Sequence, residues 1–469
     1  MIPDIHNSLS KHKPGSICEL LSISWPMMVS SASSCLMILG DRIVLSHYSQ
    51  DAFNVCFSVM QWYWLFVSMA MSIVLIAEVF VGQFNGARKF KLIGPVVWQM
   101  IWFSALMWLI FIPIAIWLVP NLLIDRDKPM GIPYLRLMIL FLPVNYASFG
   151  AMASFFIGRG AVGIVPVIAI VVNLLNIVLD MVLVFGHRVV PGFPEFGIIG
   201  AAIATGLSQL VGFIVLFALF FRKKYFEKYH VNEMKFNWKL MKDCIVIGFP
   251  TALNSCINCC GWSILVQLIK KRVSNDDFSA FGITHSLYVA FFFVIEGIGT
   301  GIRTICSNAI GYLNYDAIRL CINSAYKTSI ILAAITSLFM VFHPDLLIGL
   351  FRGDCLSKAV DPLAKSMLIW AWLAFLFDGL WTTIQSLLTA AGDTKYTMIV
   401  NISCYWLLEF LPIYTLMAHT KLECSAVVAW HVMILDLFLR VVLLYRRYRT
   451  NRWKEIKISK ATTVNLCQD

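Results

Sequence analysis

From Ile164 to Phe185 the chain carries only three strongly polar side chains, Asn173, Asn176 and Asp180. A helix of about 20 apolar residues spans the hydrocarbon of a bilayer. In lipid every backbone N–H and C=O must find its partner inside the structure, which leaves helices and closed barrels. A single uninterrupted run of this length reads as a helix. Within it an Asp costs about 2.5–3.5 kcal/mol even on the lowest scale, so something must hold it. At about 100° per residue the three polar groups share one helix face. They therefore gather where they face a cavity rather than lipid. An intramembrane carboxylate beside two amides points first to an ion site.

The same kind of run recurs along the chain. Twelve apolar segments are expected, at about 17–40, 53–80, 94–119, 132–157, 163–186, 197–221, 242–269, 278–305, 318–341, 363–390, 396–418 and 424–445. Pro, Gly and charge separate them, as at Asn85–Lys91, Pro120–Gly131, His187–Phe196 and His343–Pro362. The chain is 59% apolar and 13% charged, where a soluble globular chain holds about 25% charged residues. It reads as a polytopic membrane protein. The net charge of +11 is then a matter of loop charge and implies no nucleic-acid partner. Cys256, Cys259 and Cys260 lie in an apolar helix without His or acid nearby, so they read as small packing residues rather than metal ligands. Met1–Pro14 is polar, and the first long apolar run reads as a span rather than a cleaved leader.

Charge also orients the chain. Alternate connections hold Arg88, Lys89 and Lys91, then Arg159, then Arg222, Lys223, Lys224, Lys228, Lys235, Lys239 and Lys242, then Lys395, then the tail Arg446–Lys460. The other connections mix bases with acids, as in Asp125-Arg126-Asp127-Lys128. The Lys and Arg bias makes the first set cytoplasmic and places both termini there, in a cell (plasma or inner) membrane. The basic tail is expected to rest against anionic membrane lipids.

The longest connection divides the sequence into residues 1–221 with six spans, a basic linker at 222–241, residues 242–446 with six more, and a basic tail at 447–469. The halves resemble one another. Trp25-Pro26 matches Phe249-Pro250, Gly82-Gln83-Phe84-Asn85-Gly86 matches Ser307-Asn308-Ala309-Ile310-Gly311, and Gly160 matches Gly392. A repeat of six spans keeps its orientation. The expected fold class is thus all-α polytopic membrane, with twelve transmembrane helices in two pseudo-twofold-related six-helix lobes around a central cavity. Such duplication suits a transporter that works by alternating access.

These positions together resemble the multidrug and toxic compound extrusion (MATE) family, from about Leu20 to Tyr445. The resemblance rests on Pro26, Gly40-Asp41, Gly82-Gln83-Phe84-Asn85-Gly86, Asn176-Ile177-Val178-Leu179-Asp180 and Gly197-Ile198-Ile199-Gly200-Ala201-Ala202-Ile203-Ala204-Thr205. In the second half it rests on Gly248-Phe249-Pro250, Asn308-Ala309-Ile310-Gly311, Asp378 and Gly392-Asp393-Thr394-Lys395. It implies a secondary antiporter that exports organic, often cationic and amphipathic compounds against inward flow of Na⁺ or H⁺, with no resident cofactor. It further implies a cation site at Asp41, Asn176, Asp180 and Thr205, with Asn173 as an added candidate, and a bend in the first span at Pro26. Two carboxylates in one low-dielectric pocket repel, so Asp41 and Asp180 would share a proton or jointly hold a Na⁺.

In the second half the match is partial. Asn258 stands eight residues past Pro250, where some bacterial members carry a Glu, and Asp378 stands fifteen residues before Asp393. An Asn can ligate through its carbonyl but cannot carry a proton. Glu296 and Glu409 also fall within spans, the latter close to Pro412, which leaves a carbonyl free. Asp436 and Arg440, at i and i+4, read as a pair with no transport role. For the organic substrate, Gln61, Trp62, Tyr63, Trp64, Met69, Met71, Tyr288 and Phe291–Phe293 offer aromatic and thioether surface. A monomer is expected. Within the same superfamily the alternative is a flippase for lipid-linked saccharides, which needs basic groups for phosphate where these spans carry mostly acids. A membrane-embedded enzyme lacks any nucleophile or metal pattern here, and a receptor does not explain the repeat.

Overall fold

The structure is a computed structural model that describes residues 9–123, 125, 128–143, 149–349, 359–419 and 426–456. Some side chains within helices, Arg42 and Gln61 among them, lie outside the described residues, as do Arg126, Asp127 and the tail beyond Ile456.

Among the described residues every regular element is helical. Ten helices are long and apolar enough to cross a membrane. The two remaining apolar segments are helical too. The first is Ile17–Tyr48, and the fourth is covered by Lys128–Leu142 and Phe149–Gly158. The expected all-α polytopic membrane protein is what the chain forms. Helix ends outrun the apolar segments. The first span continues past Asp41 to Tyr48, because a charged residue at a span's end does not break a helix. A single extended residue, Ser49 at φ −164°, separates it from Gln50–Val74.

Among the described residues three spans contain a complete π-helical turn: Ile114–Leu118, Leu338–Phe342 and Tyr405–Phe410. A proline follows each within two residues, at Pro120, Pro344 and Pro412. Proline supplies no N–H to the carbonyl four residues back. Those carbonyls belong to Ile116, Met340 and Leu408, all inside the wide turns, so the helix has reason to open there. At Ile116 the freed carbonyl is taken up by the fourth span. Arg136 donates from Nη2 to Ile116 O at 3.2 Å and from Nε to Ala115 O at 2.8 Å.

The duplication seen in the sequence recurs in backbone detail. After the helix Phe149–Gly158, Gly160 (φ 78°) donates to Ile157 O and Ala161 donates to Phe156 O. After the tenth span, Val360–Ala390, Gly392 (φ 81°) donates to Thr389 O and Asp393 to Leu388 O. This is the same Schellman closure, with glycine at the left-handed position that a Cβ disfavours. A second matched pair closes the helices Ile76–Gly86 and Asn275–Gly311. There the left-handed residues are Arg88 (φ 57°) and Leu313 (φ 62°).

By packing, the described chain forms two compact units. One takes the chain up to Met28, then Ile257–Cys306 and Tyr315–Lys457. The other takes Val29–Cys256 and Ser307–Asn314. The boundaries fall inside the first span, just past Pro26, and inside the seventh span, Trp238–Arg272, past Pro250. The core of the first unit is built on Phe281, Tyr288, Met367, Phe375 and Trp430. In the second unit the basic connection at 222–241 is docked rather than loose. Trp98 donates to Val231 O at 2.7 Å, Gln99 to Lys235 O at 3.0 Å, and Asn237 N to Gln99 Oε1 at 2.8 Å. Gly94 lets this segment approach, since a Cβ there would stand 2.5 Å from Tyr229 O.

Candidate functional site

The fifth span, Ile164–Phe185, turns its polar face inward and its apolar face outward. Asn176 and Asp180 are fully buried and Asn173 is 6% exposed, whereas Val171, Leu174 and Val178 are each more than half exposed. That inversion of the soluble pattern is what a lipid-facing helix requires. All of this lies within the second unit.

The stripe has partners from the first span. Asn173 donates to Ser33 Oγ at 2.7 Å. One turn on, Asn176 Nδ2 donates to Asp180 Oδ2 at 3.2 Å. The Asp180 carboxyl in turn lies beside that of Asp41. The carbonyl oxygen Asn176 Oδ1 is buried with no hydrogen-bond partner among the described residues. Two carboxyl groups and a free amide oxygen are hard, oxygen-only donors, which fit a proton or an alkali cation.

Thr205 is buried on the sixth span, Gly197–Phe220, which lies along the fifth. The two helices come close at Gly200, where a Cβ would stand 2.6 Å from Leu183 O. A hydrogen bond joins Asn176 to Asp180, which lies beside Asp41; Thr205 is linked instead by its carbonyl to Ser208 Oγ. Ser33, the partner of Asn173, gave no sequence signal, because a serine in an apolar run has many uses.

The first unit holds a second set of buried acids. Asp378, 2% exposed on the tenth span, lies beside Tyr288 of the eighth. Tyr288 is itself buried and packs edge-on against Trp430. Glu409 sits in the π-helical turn Tyr405–Phe410, which turns both Tyr405 and Glu409 inward. Arg440 stands between Glu409, at 3.9 Å, and Asp436, at 2.5 Å. The i,i+4 pair expected on the twelfth span is therefore present, and Glu409 joins it from another span. Glu296 pairs with Arg303 along its own helix at 3.2 Å, and Arg303 also donates to Thr300 Oγ1 at 2.7 Å. Asn258 is half-buried on the seventh span and has partners of its own. Pro26 lies inside an unbroken first helix. Gln61 lies outside the described residues.

The comparisons with known proteins agree with one another. The MatE family model matches residues 26–182 and 250–415. The chain is 22% identical over 443 residues to the probable multidrug resistance protein NorM of Thermotoga maritima, covering 93% of each. It is 23% identical to the uncharacterized transporter YisQ of Bacillus subtilis, covering 93% of this chain and 94% of that one. Among solved structures, a multidrug resistance MATE family transporter of the MOP superfamily in an outward-facing conformation aligns with a TM-score of 0.80 at 17% identity, over 96% of this chain and 99% of that one. The eukaryotic MATE transporter AtDTX14 aligns with a TM-score of 0.80 at 19% identity, over 95% and 97% of the two chains.

Proposed function

This chain belongs to the MatE family of membrane transporters, and we propose that it is a secondary antiporter exporting organic, cationic and amphipathic compounds in exchange for H⁺ or Na⁺. The observation that carries this reading is the constellation of buried Asn176 and Asp180 with half-buried Asp41 within one unit. A carboxyl pair of this kind exchanges one bound cation for another at little structural cost. With one shared proton the pair carries a single negative charge, and releasing that proton leaves two, which a low-dielectric site does not tolerate without another cation. Loading and unloading the coupling ion thus changes which environment the fifth span favours. Asp41, Asp180 and Asn176 hold the ion, Thr205 borders it from the sixth span, and Asn173 fixes the fifth span to the first. Asp378 serves a subsidiary role in the other unit.

Arg303 and Arg440 are each paired with carboxylates, which supports a cationic cargo over a phosphate-bearing lipid-linked saccharide. The protein acts as a monomer with both termini cytoplasmic, as the distribution of Lys and Arg directs.

The experiment is efflux of a fluorescent organic cation from proteoliposomes carrying the full chain, with Na⁺ and proton gradients collapsed one at a time. Loss of efflux on collapsing one gradient identifies the coupling ion. Efflux that persists with both gradients collapsed removes the antiport reading.

A further inference from the structure

We propose that Arg159, Lys224 and Lys228 form a binding site for a phosphate group, presented by a phospholipid headgroup at the surface where the basic connections lie. Arg159 caps the helix Phe149–Gly158 and donates from Nε to Phe155 O at 2.8 Å. Its guanidinium lies 3.7 Å from the Phe155 ring centroid, 4.9 Å from Tyr225 and 4.7 Å from Tyr229. The two lysines share those rings. Lys224 Nζ is 4.7 Å from Tyr225, and Lys228 Nζ is 5.3 Å from Tyr229 and 4.6 Å from Phe90. Three cations thus gather around two tyrosines, within one unit, from two connections far apart in sequence.

Aromatic faces attract cations without neutralising them. Among the described residues none of the three forms an ion pair, although Glu227 lies on the same turn as the lysines. Arg159 Nη2 is buried with no hydrogen-bond partner. The Tyr225 hydroxyl reports the resulting field. Its burial raises the pKa, yet hydrogen bonds from Lys224 and Arg159 outweigh burial and hold it below the usual tyrosine value. A guanidinium held among aromatic rings, with one donor nitrogen unused among the described residues and two ammonium groups beside it, is a receptor for phosphate oxygens.

The position favours a lipid as the source. Arg159 stands where an apolar span ends, and the docked basic connection presents Phe236 and Trp238, both more than half exposed. Aromatic side chains next to Lys and Arg at the end of a span occupy the headgroup layer. The negative surface of an anionic leaflet then supplies the ligand at high local concentration.

The test uses the purified full chain in a neutral detergent, titrated with short-chain phosphatidylglycerol, short-chain phosphatidylcholine and glycerol 3-phosphate, with bound species counted by native mass spectrometry. Wild type is expected to retain phosphatidylglycerol in preference to phosphatidylcholine. Each cation removed should weaken that binding about fivefold. Lys224→Gln with Lys228→Gln tests this at exposed positions that bear little on folding. Arg159→Gln removes the fork, and Arg159→Lys keeps the charge while losing the paired donors. Lys128→Gln, at an exposed lysine in the opposite set of connections, should leave binding unchanged. Phosphate binding should also return the Tyr225 titration upward, because an anion beside the phenol opposes the phenolate. Displacement of the lipid by equimolar glycerol 3-phosphate supports a phosphate site filled from solution, and failure to displace supports the lipid. Equal affinity in wild type and in the Lys224→Gln, Lys228→Gln variant, or equal retention of the two lipids, overturns the proposal.

Discussion

Asn85 donates from Nδ2 to Oδ1 of Asn308 at 2.6 Å, so the two copies of the motif that ends the second and eighth spans touch each other. Asn308 in turn donates to Gly158 O at 2.7 Å and is fully buried. Gly86 and Gly311 make the approach possible, since a Cβ on either would run into the opposing backbone. Replacing Asn308 by Ala leaves both Asn85 Nδ2 and Gly158 O short of a partner. Each unsatisfied buried group costs about 1–3 kcal/mol. Thermal melting in detergent should show Asn308→Ala well below wild type and Asn85→Ala between the two. A variant Asn308→Ala that melts with wild type removes this junction from the stability of the fold.

Leu313 holds the left-handed turn that closes the eighth span at φ 62° with its side chain 70% exposed. A non-glycine residue in that conformation costs about 1–2 kcal/mol, and little packing is there to offset it. Leu313→Gly should therefore stabilise the protein by about 0.5–1 kcal/mol after glycine's larger unfolded-state entropy is counted. The reverse change Gly160→Leu, at a left-handed turn of the same type after the fourth span, should destabilise. Opposite shifts in melting temperature check the pair.

In the fifth span, Asp180→Asn keeps the shape and the contact with Asn176 but removes the group that binds and releases a cation. Gradient-driven efflux should fall by at least a hundredfold while the protein inserts and melts near wild type. Asn173→Ala removes only the link to Ser33 and should cost about 1 kcal/mol of stability with efflux reduced a few-fold. If both variants transport alike, the acid on this face is structural.

Arg440 is 6% exposed between Glu409 and Asp436. Arg440→Met strands two buried acids and should destabilise by about 3–5 kcal/mol. Adding Glu409→Gln and Asp436→Leu removes the stranded charge and should recover most of that loss. Denaturation of the single and triple variants separates the two cases, and a triple variant as weak as the single one would point to packing rather than charge.

Much of this was legible in the sequence, for identifiable reasons. A polar group in a long apolar run has few permitted explanations, so Asn176 and Asp180 stood out, and they lie together with Asp41. The duplication was legible because glycine at Gly160 and Gly392 answers a backbone need that recurs in each half. The docking of the connection at 222–241 on Trp98 and Gln99 was not legible. Its hydrogen bonds use the connection's own backbone groups, the Val231 and Lys235 carbonyls and the Asn237 N–H, which leave no mark in composition. The meeting of Glu409 with Arg440 was hidden for a related reason. The i,i+4 rule sees one helix at a time, whereas this contact joins two spans through a π-helical turn. Arg136, inside the fourth apolar segment, carries no pattern that marks its role, although it satisfies the carbonyls that the helix at Ile114–Leu118 leaves open.

Each π-helical turn accommodates one residue more than an α-helix needs. Elsewhere in a span, deleting one residue rotates everything beyond it by about 100° and moves buried side chains into lipid. At Ile114–Leu118, Leu338–Phe342 and Tyr405–Phe410 the same deletion is absorbed by tightening the turn. These three stretches are where the family can gain or lose single residues inside the membrane and still keep its faces aligned, so length variation among relatives within spans three, nine and eleven should collect beside their prolines.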